Sequence, residues 1–262
     1  MQNRYLSPAM REQDALSMRI APLVGVEARI YDDLWNAIAD HRLRPGAKLE
    51  EVVLCEIYGV SRTVIRKVLV ILEQEGIVSL PVNRGAYVAL PSPEDVRELN
   101  EATTSSVAYV ARKLAEDPKR ITPGQRKELA RHVEAEKVAL EAHDVQALRR
   151  LRVEFGTLLA LVHGNRTLAR CFERNASRFS IGVCEYQEHS PLGATTEFCR
   201  TLRDLILAGK PDEAEQFISA HGEATLRSLR LDAAGDDSDL KTILGLGIER
   251  RGSCSEALAM RA

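Results

Sequence analysis

The chain has 262 residues, roughly 1.7 domains at about 150 residues each. Its 45% hydrophobic content suffices for a packed core, and its 5% aromatic content excludes extensive stacking platforms for bases or sugars. Thirty-six basic residues against 38 acidic ones leave a net charge of −2, so no global positive field advertises a polyanionic partner.

The first 24 residues carry mixed charge and no sustained period, which predicts a flexible arm. No apolar run there is long enough for a signal peptide or a membrane span. Five scattered cysteines, with no CxxC pair, argue against a secreted disulfide scaffold and a zinc knuckle. The expectation is a cytoplasmic protein with no membrane partner.

From Glu27 the period becomes helical. Ala28, Ile30, Leu34 and Ile38 form a stripe that ends near His41, before Arg44-Pro45-Gly46. Tyr31 and Trp35 on this helix are expected in its core. Leu49, Val53 and Ile57 predict a short second helix stopped by Gly59. Ser61 is placed to N-cap a third, which turns Ile65, Val68, Leu69 and Leu72 inward and ends at Gly76. Two β-prone runs, 77–80 and 86–90, flank the turn Pro81-Val82-Asn83-Arg84-Gly85. Three helices and a hairpin over residues 25–90 predict a winged helix-turn-helix.

Pro91-Ser92-Pro93 then punctuates the chain, with Ser92 as N-cap, Pro93 at the first helical position and Asp95 three residues past the cap. Six helices are expected beyond it. They run from about 94 to 116, from the Thr122–Gln125 capping signature to 143, from 144 to 163, and from 166 to 187. A fifth opens at Gly193 and Thr195 and closes at Gly209, and the last runs from Pro211 to about 231. The fold class is therefore mostly α: the winged head at 25–90, then an all-α six-helix bundle at 91–231. The Asp/Gly/Ser-rich stretch 232–262 is expected to be disordered.

The chemistry concentrates at Gly59–Lys67. A turn leads into a helix whose first two turns hold three cations and no acid, at an end that already favours anions. Ser61 and Thr63 offer hydroxyls to phosphate oxygens. Arg62 and Arg66, four apart, share a face opposite Ile65 and Leu69. A guanidinium there can contact guanine O6 and N7 in the major groove. Arg84 and Gly85 at the hairpin tip suit the adjacent minor groove or a phosphate. Each cation taken singly would be an ordinary solvated residue; the turn before them and the wing after them favour double-stranded DNA. Residues 1–91 hold 11 basic and 11 acidic residues, so a local patch must do the binding.

The stretches RLRPGAKLEE and YGVSRTVIRKVLVILEQEGIVSLPVNRGAYV resemble the winged-helix domain of GntR-family transcriptional regulators. That family's pattern reads L-x-P-G-x-x-L-x-E, V-S-R-T-P-V-R-E-A-L, G-L-V and G-R-G-x-x-V. The helical region, about 94–231, resembles the FCD ligand-binding domain of the FadR-like subfamily. The resemblance implies a homodimer on operator DNA, contacted by Arg62, Arg66 and the wing around Arg84, and a small-molecule effector in the bundle. Val64 stands where the family keeps proline and Lys67 where it keeps glutamate, which alters the expected half-site preference.

FCD domains commonly hold a divalent metal through one Asp and three His. The first two positions fall on Arg152 and Gly156. The third, ten residues before Gly209-Lys210, falls on Cys199. Only the fourth is retained, as His221 after Ala214 and Ile218. No cofactor and no divalent metal are therefore expected. Arg152 is assigned instead to an anionic effector, a small organic acid, with Gly156 leaving room and His221 supplying a hydrogen bond. The alternative for Arg152 is a stem that snorkels to solvent or a pair with a glutamate. Thr103 and Val107 take places where relatives carry an arginine and a glutamate, so Thr103 joins Arg152, Gly156, Cys199 and His221 in the candidate effector pocket.

His163 is expected to cap a helix end, and His132, His143 and His189 to lie on the surface. Two other functions compete with the ligand-responsive regulator. One is a constitutive DNA-binding regulator with a vestigial sensor. The other is an enzyme using Cys199 as nucleophile and His221 as base, against which no oxyanion-hole motif appears. The chain is not expected to be an enzyme.

Overall fold

The computed structural model describes residues 5–12, 23–187 and 197–232. Through Leu229 the chain forms one compact unit. Within it, α1 (Pro8–Glu12) precedes the head, which is built from α2 (Gly25–Ala39), β1 (Lys48–Leu49), α3 (Glu51–Tyr58), α4 (Arg62–Gln74), β2 (Val78–Ser79) and β3 (Ala86–Val88). The bundle follows as α5 (Pro93–Glu116), α6 (Pro123–Glu141), α7 (Val145–Val162), α8 (Arg166–Tyr186), α9 (Phe198–Leu207) and α10 (Pro211–Arg227). Among the described residues no helix is long and apolar enough to cross a membrane.

The winged head forms as its apolar spacing predicts, with one addition. Ile30, Tyr31 and Leu34 of α2 meet Ile65, Leu69 and Leu72 of α4 in a common core. The hairpin pairs Val78 with Val88 and Ser79 with Tyr87, and β1 adds a third antiparallel strand through Lys48–Tyr87 and Leu49–Ala86. Leu49 is thus a buried strand residue rather than the start of the second helix. That change of role rotates α3, leaving Leu54 buried while Val53 and Ile57 are exposed.

Four of the bundle helices, α5 to α8, begin where their caps place them. Ser92–Asp95 and Thr122–Gln125 both form reciprocal capping boxes, and the side chains of Asp144 and Asn165 accept from Ala147 and Leu168 amides. His163 is the C-cap residue of α7. The openings at Gly193 and Thr195, His189, Cys254 and residues 233–262 lie outside the described residues.

Head and bundle share a seam. Ile181 of α8 belongs to the head's core, and the stem of Arg178 lies so close to Gly76 that a Cβ there would stand 2.6 Å from its Cδ. Arg150 of α7 donates to Asp40 and Asn36 of the head.

Residues 5–12 are not a loose arm. Tyr5, Ala9 and Met10 are buried in the bundle's core. The Tyr5 hydroxyl donates to Glu173 Oε1 at 2.6 Å, and the amides of Leu6 and Ser7 donate to the two oxygens of Glu154 at 2.8 and 2.7 Å. A carboxylate reading consecutive amides from about 150 residues away leaves no periodic trace in the arm itself. His132 is likewise buried rather than superficial: its ring nitrogens lie 2.8 Å from Ser7 Oγ and 2.9 Å from the Leu151 carbonyl oxygen. His143 is exposed, as expected.

Candidate functional site

Two sites emerge, one on the head and one in the bundle. Gly59 closes α3 in the left-handed region, at φ 64°, which lets the chain turn directly into α4. Ser61 is the N-cap of α4 by backbone geometry, but its side chain makes no capping hydrogen bond. Because Ile65, Val68, Leu69 and Leu72 are fully buried, Arg62, Thr63, Arg66 and Lys67 are all turned outward and exposed. Arg84 and Gly85 are exposed at the wing tip, where Asn83 and Gly85 take positive φ of 59° and 87°.

Two acids beside this surface were not singled out by the sequence. Arg66 Nε donates to Glu51 of α3 at 3.0 Å, and Lys67 Nζ donates to Glu27 of α2 at 2.7 Å. The spacings of 15 and 40 residues carry no helical signature. Such exposed pairs contribute about 0–1 kcal/mol each, so they hold the cations in place while remaining exchangeable. Lys48 on β1 also belongs to this neighbourhood: its Cε would lie 3.9 Å from a Cβ on Gly85.

In the bundle, α5, α7, α8, α9 and α10 line a partly open cavity of about 180 Å³. It brings together four of the five bundle residues the sequence singled out: Thr103, Arg152, Gly156 and His221. Phe155, Phe172, Phe179 and Phe198 supply aromatic wall, and Arg149 is a second cation that sequence reasoning missed. Arg149 donates through Nη2 to Gln187 Oε1. The Thr103 hydroxyl donates backward to the Leu99 carbonyl at 2.7 Å.

Arg152 and His221 converge on one ring. The Arg152 guanidinium carbon stands 5.5 Å from the Phe198 centroid, and the His221 centroid stands 4.6 Å from it. Burial lowers the pKa of Arg152, opposed by Cys199 and Glu136 and reinforced by Arg149. Burial and then the nearby Arg152 charge bring His221 down to about 4, so its ring is neutral at pH 7.

Two sequence expectations change here. Gly156 does not leave open room: the Phe172 ring occupies it, with ring carbons 2.3 and 2.4 Å from where a Cβ would stand. Cys199 is not among the walls. It is fully buried, and its amide donates to Glu136 Oε1 at 2.8 Å. Burial, then the Glu136 charge, pushes the thiol well above its ordinary pKa. A thiol held protonated in this way is not an activated nucleophile. The donor set does not fit the family's divalent ion. A guanidinium stands at the carboxylate position, and among the described residues no three His, Cys, Asp or Glu side chains come together to hold a metal.

Comparison with known proteins follows this geometry. Residues 27–88 match the family model described as bacterial regulatory proteins, gntR family, and residues 108–224 match the FCD domain model. The HTH-type transcriptional repressor RspR of Escherichia coli K12 is 26% identical over 144 residues, 55% of this chain and 62% of that protein. An uncharacterized HTH-type transcriptional regulator of Agrobacterium vitis is 28% identical over 85 residues, 32% of this chain and 50% of that one. The chain thus spans 50% to 62% of the length of these curated relatives. Among solved structures, a transcriptional regulator GntR from Rhodococcus sp. RHA1 superposes with a TM-score of 0.67 at 21% identity, covering 77% of this chain and 95% of that one. Escherichia coli McbR/YncC gives 0.65 at 18% identity, covering 78% and 97%. At these identities the superpositions show the fold.

Proposed function

The chain belongs to the GntR family of bacterial regulatory proteins and carries an FCD domain, and on that premise we propose that it binds a specific operator as a homodimer, with an affinity set by a small organic acid in the bundle cavity. Each head presents the N-terminal half of α4 to the major groove. Ser61 and Thr63 meet phosphate, Arg62 and Arg66 meet base edges, Lys67 flanks them, and Arg84 with Gly85 reaches beside the groove. Dimerisation spaces two such helices about one DNA turn apart. The setting is the cytoplasm, where the DNA is.

A single observation carries this reading. The helix α7 lines the cavity with Arg152 and, two residues earlier, hydrogen-bonds the head with Arg150. A ligand that prefers one placement of α7 therefore prefers one placement of the head, and operator affinity changes by linkage. A retained cavity joined to the head in this way speaks against a vestigial sensor.

The test is genome-wide footprinting followed by gel-shift titration on the recovered duplex, with organic acids added in turn. An acid that raises the melting temperature and changes operator affinity supports the proposal. The absence of any preferred duplex at ordinary ionic strength overturns it.

A further inference from the structure

We infer that Glu51 is a positioning residue for base recognition: it holds the Arg66 guanidinium by its Nε edge and so aims the two Nη groups, as a fork, at one base of the operator. This rests on the reading of α4 as the helix in the major groove, and adds that a residue of α3 sets its discrimination.

Both side chains project from rigid backbone. Around Arg66, the neighbours Ile65, Val68 and Leu69 of α4 are fully buried. Glu51 is the first residue of α3, and the chain is fixed on either side of it. Leu49, two residues before, is buried and paired with Ala86 of the wing strand; Leu54, three residues after, is buried in the head's core. The carboxylate also sits in the first turn of its helix, where the macrodipole favours a negative charge. What remains free to move is the long stem of Arg66, and one contact restrains it.

That contact is one-sided. Arg66 Nε donates to both oxygens of Glu51, at 3.2 Å to Oε1 and 3.0 Å to Oε2. Among the described residues this guanidinium has no second partner. An arginine carries five N–H donors, so with Nε engaged the four on Nη1 and Nη2 remain. Those four form the end-on edge that meets guanine O6 and N7 bidentately. Exposure divides the pair in the same sense. The Arg66 side chain is 70% exposed and that of Glu51 18%, so the acid is the shielded partner and the cation the presented one.

The neighbouring pair on Lys67 shows what a fork adds. Its Nζ also donates to both oxygens of one acid, Glu27, at 2.8 and 2.7 Å. An ammonium is a point charge with no edge to aim. The Lys67 pair restrains a charge, whereas the Arg66 pair restrains a direction. A side chain ordered before it meets its base loses less freedom on binding. That gain is specific to a duplex whose base edge fits, because phosphate contacts carry no sequence information. Glu51 therefore adds to discrimination while its charge subtracts from affinity for every duplex alike.

The test is selection from a randomised duplex library, then titration of the full chain on the selected duplex and its single-base variants. Arg66→Ala identifies the position read, which is expected to hold guanine. Glu51→Ala is expected to lose about threefold to tenfold of the preference at that same position and at no other. It should bind unrelated DNA as tightly as the unaltered chain, or more tightly. Glu51→Gln is expected to keep the preference, since its amide oxygen still accepts from Nε. Adding Glu51→Ala to Arg66→Ala is expected to change nothing further. Each preference is a ratio between two duplexes on one protein, so a variant's folded fraction cancels from it.

Full preference at the Arg66 position in Glu51→Ala overturns the inference, as does a loss that Glu51→Gln shares or that spreads over all positions. A loss centred on a different base pair also overturns it, and makes Glu51 a reader of bases itself. All of these leave the operator reading of α4 standing. If the unaltered chain selects no duplex, or Arg66→Ala keeps every preference, that reading falls and takes this inference with it.

Discussion

Arg150 on α7 donates to Asp40 at the end of α2 across 2.7 Å, an ion pair joining bundle to head. The same guanidinium donates to Asn36 Oδ1 at 2.9 Å and stands 5.4 Å from the Trp35 ring centroid. Its side chain is 9% exposed and that of Asp40 27%, so the pair is partly shielded and charge-assisted.

Arg150→Ala is expected to cost about 1.5–3 kcal/mol, because it removes charge-assisted bonds to Asn36 and to the part-exposed Asp40. More tellingly, operator affinity should lose its response to effector while effector affinity is largely kept. Calorimetry paired with gel shifts on the variant reads both.

Gly156→Ala places a methyl group 2.3 Å from the Phe172 ring. The ring must swing into the cavity or the helices must part, which costs about 1–3 kcal/mol. Denaturant unfolding should show that loss, and effector binding should weaken with it. A variant of unchanged stability and affinity would mean that Phe172 relocates freely.

On the head, Arg66→Ala should flatten discrimination at one base position by about 1–3 kcal/mol. Arg84→Ala should instead weaken all duplexes alike and reduce the salt slope by about 1. Glu51→Gln has the opposite sign: it removes the carboxylate that holds Arg66 at 3.0 Å and should tighten binding at low salt. Gel shifts across a salt series separate the three.

The pH dependence of stability follows from buried groups of opposite kind. Glu154 is raised to about 7, first by burial and against its bonds to Leu6 and Ser7. The folded chain then holds a proton that the unfolded chain has released, so this contribution falls as pH climbs from about 4.5 to about 7. His132 is lowered to about 4 by burial, so its contribution runs the other way and is lost as pH falls from about 6.5 to about 4. Glu154→Gln should remove the first slope and His132→Gln the second, measured by urea unfolding at several pH values.

Much of the head was legible because its signals are local. Gly59, Ser61 and the stripe through Leu72 lie within 14 consecutive residues, and that spacing alone decides which side chains of α4 face outward. The bundle's starts were legible at Ser92 and Thr122 for the same reason, since a capping box spans four residues. Thr103, Arg152, Gly156 and His221 were found through family positions, and the structure gathers them on three helices. What escaped was long-range. Leu49 pairs with Ala86 in a two-residue strand too short to alternate. Glu136 binds the start of α9 across 63 residues. His132 is polar by type and has polar neighbours in sequence, yet Ser7 and Leu151 satisfy both its nitrogens.

The bond from Tyr5 to Glu173 spans 168 residues, and that span orders events during synthesis. Tyr5 emerges from the ribosome long before its acceptor exists, while the head's own core, Ile181 apart, is complete by Val88. A nascent chain therefore forms its head early and closes its bundle late, when α8 arrives to receive the waiting tyrosine. Truncations that spare the head but stop short of α8 leave that tyrosine without its acceptor, and such fragments should be the ones that aggregate.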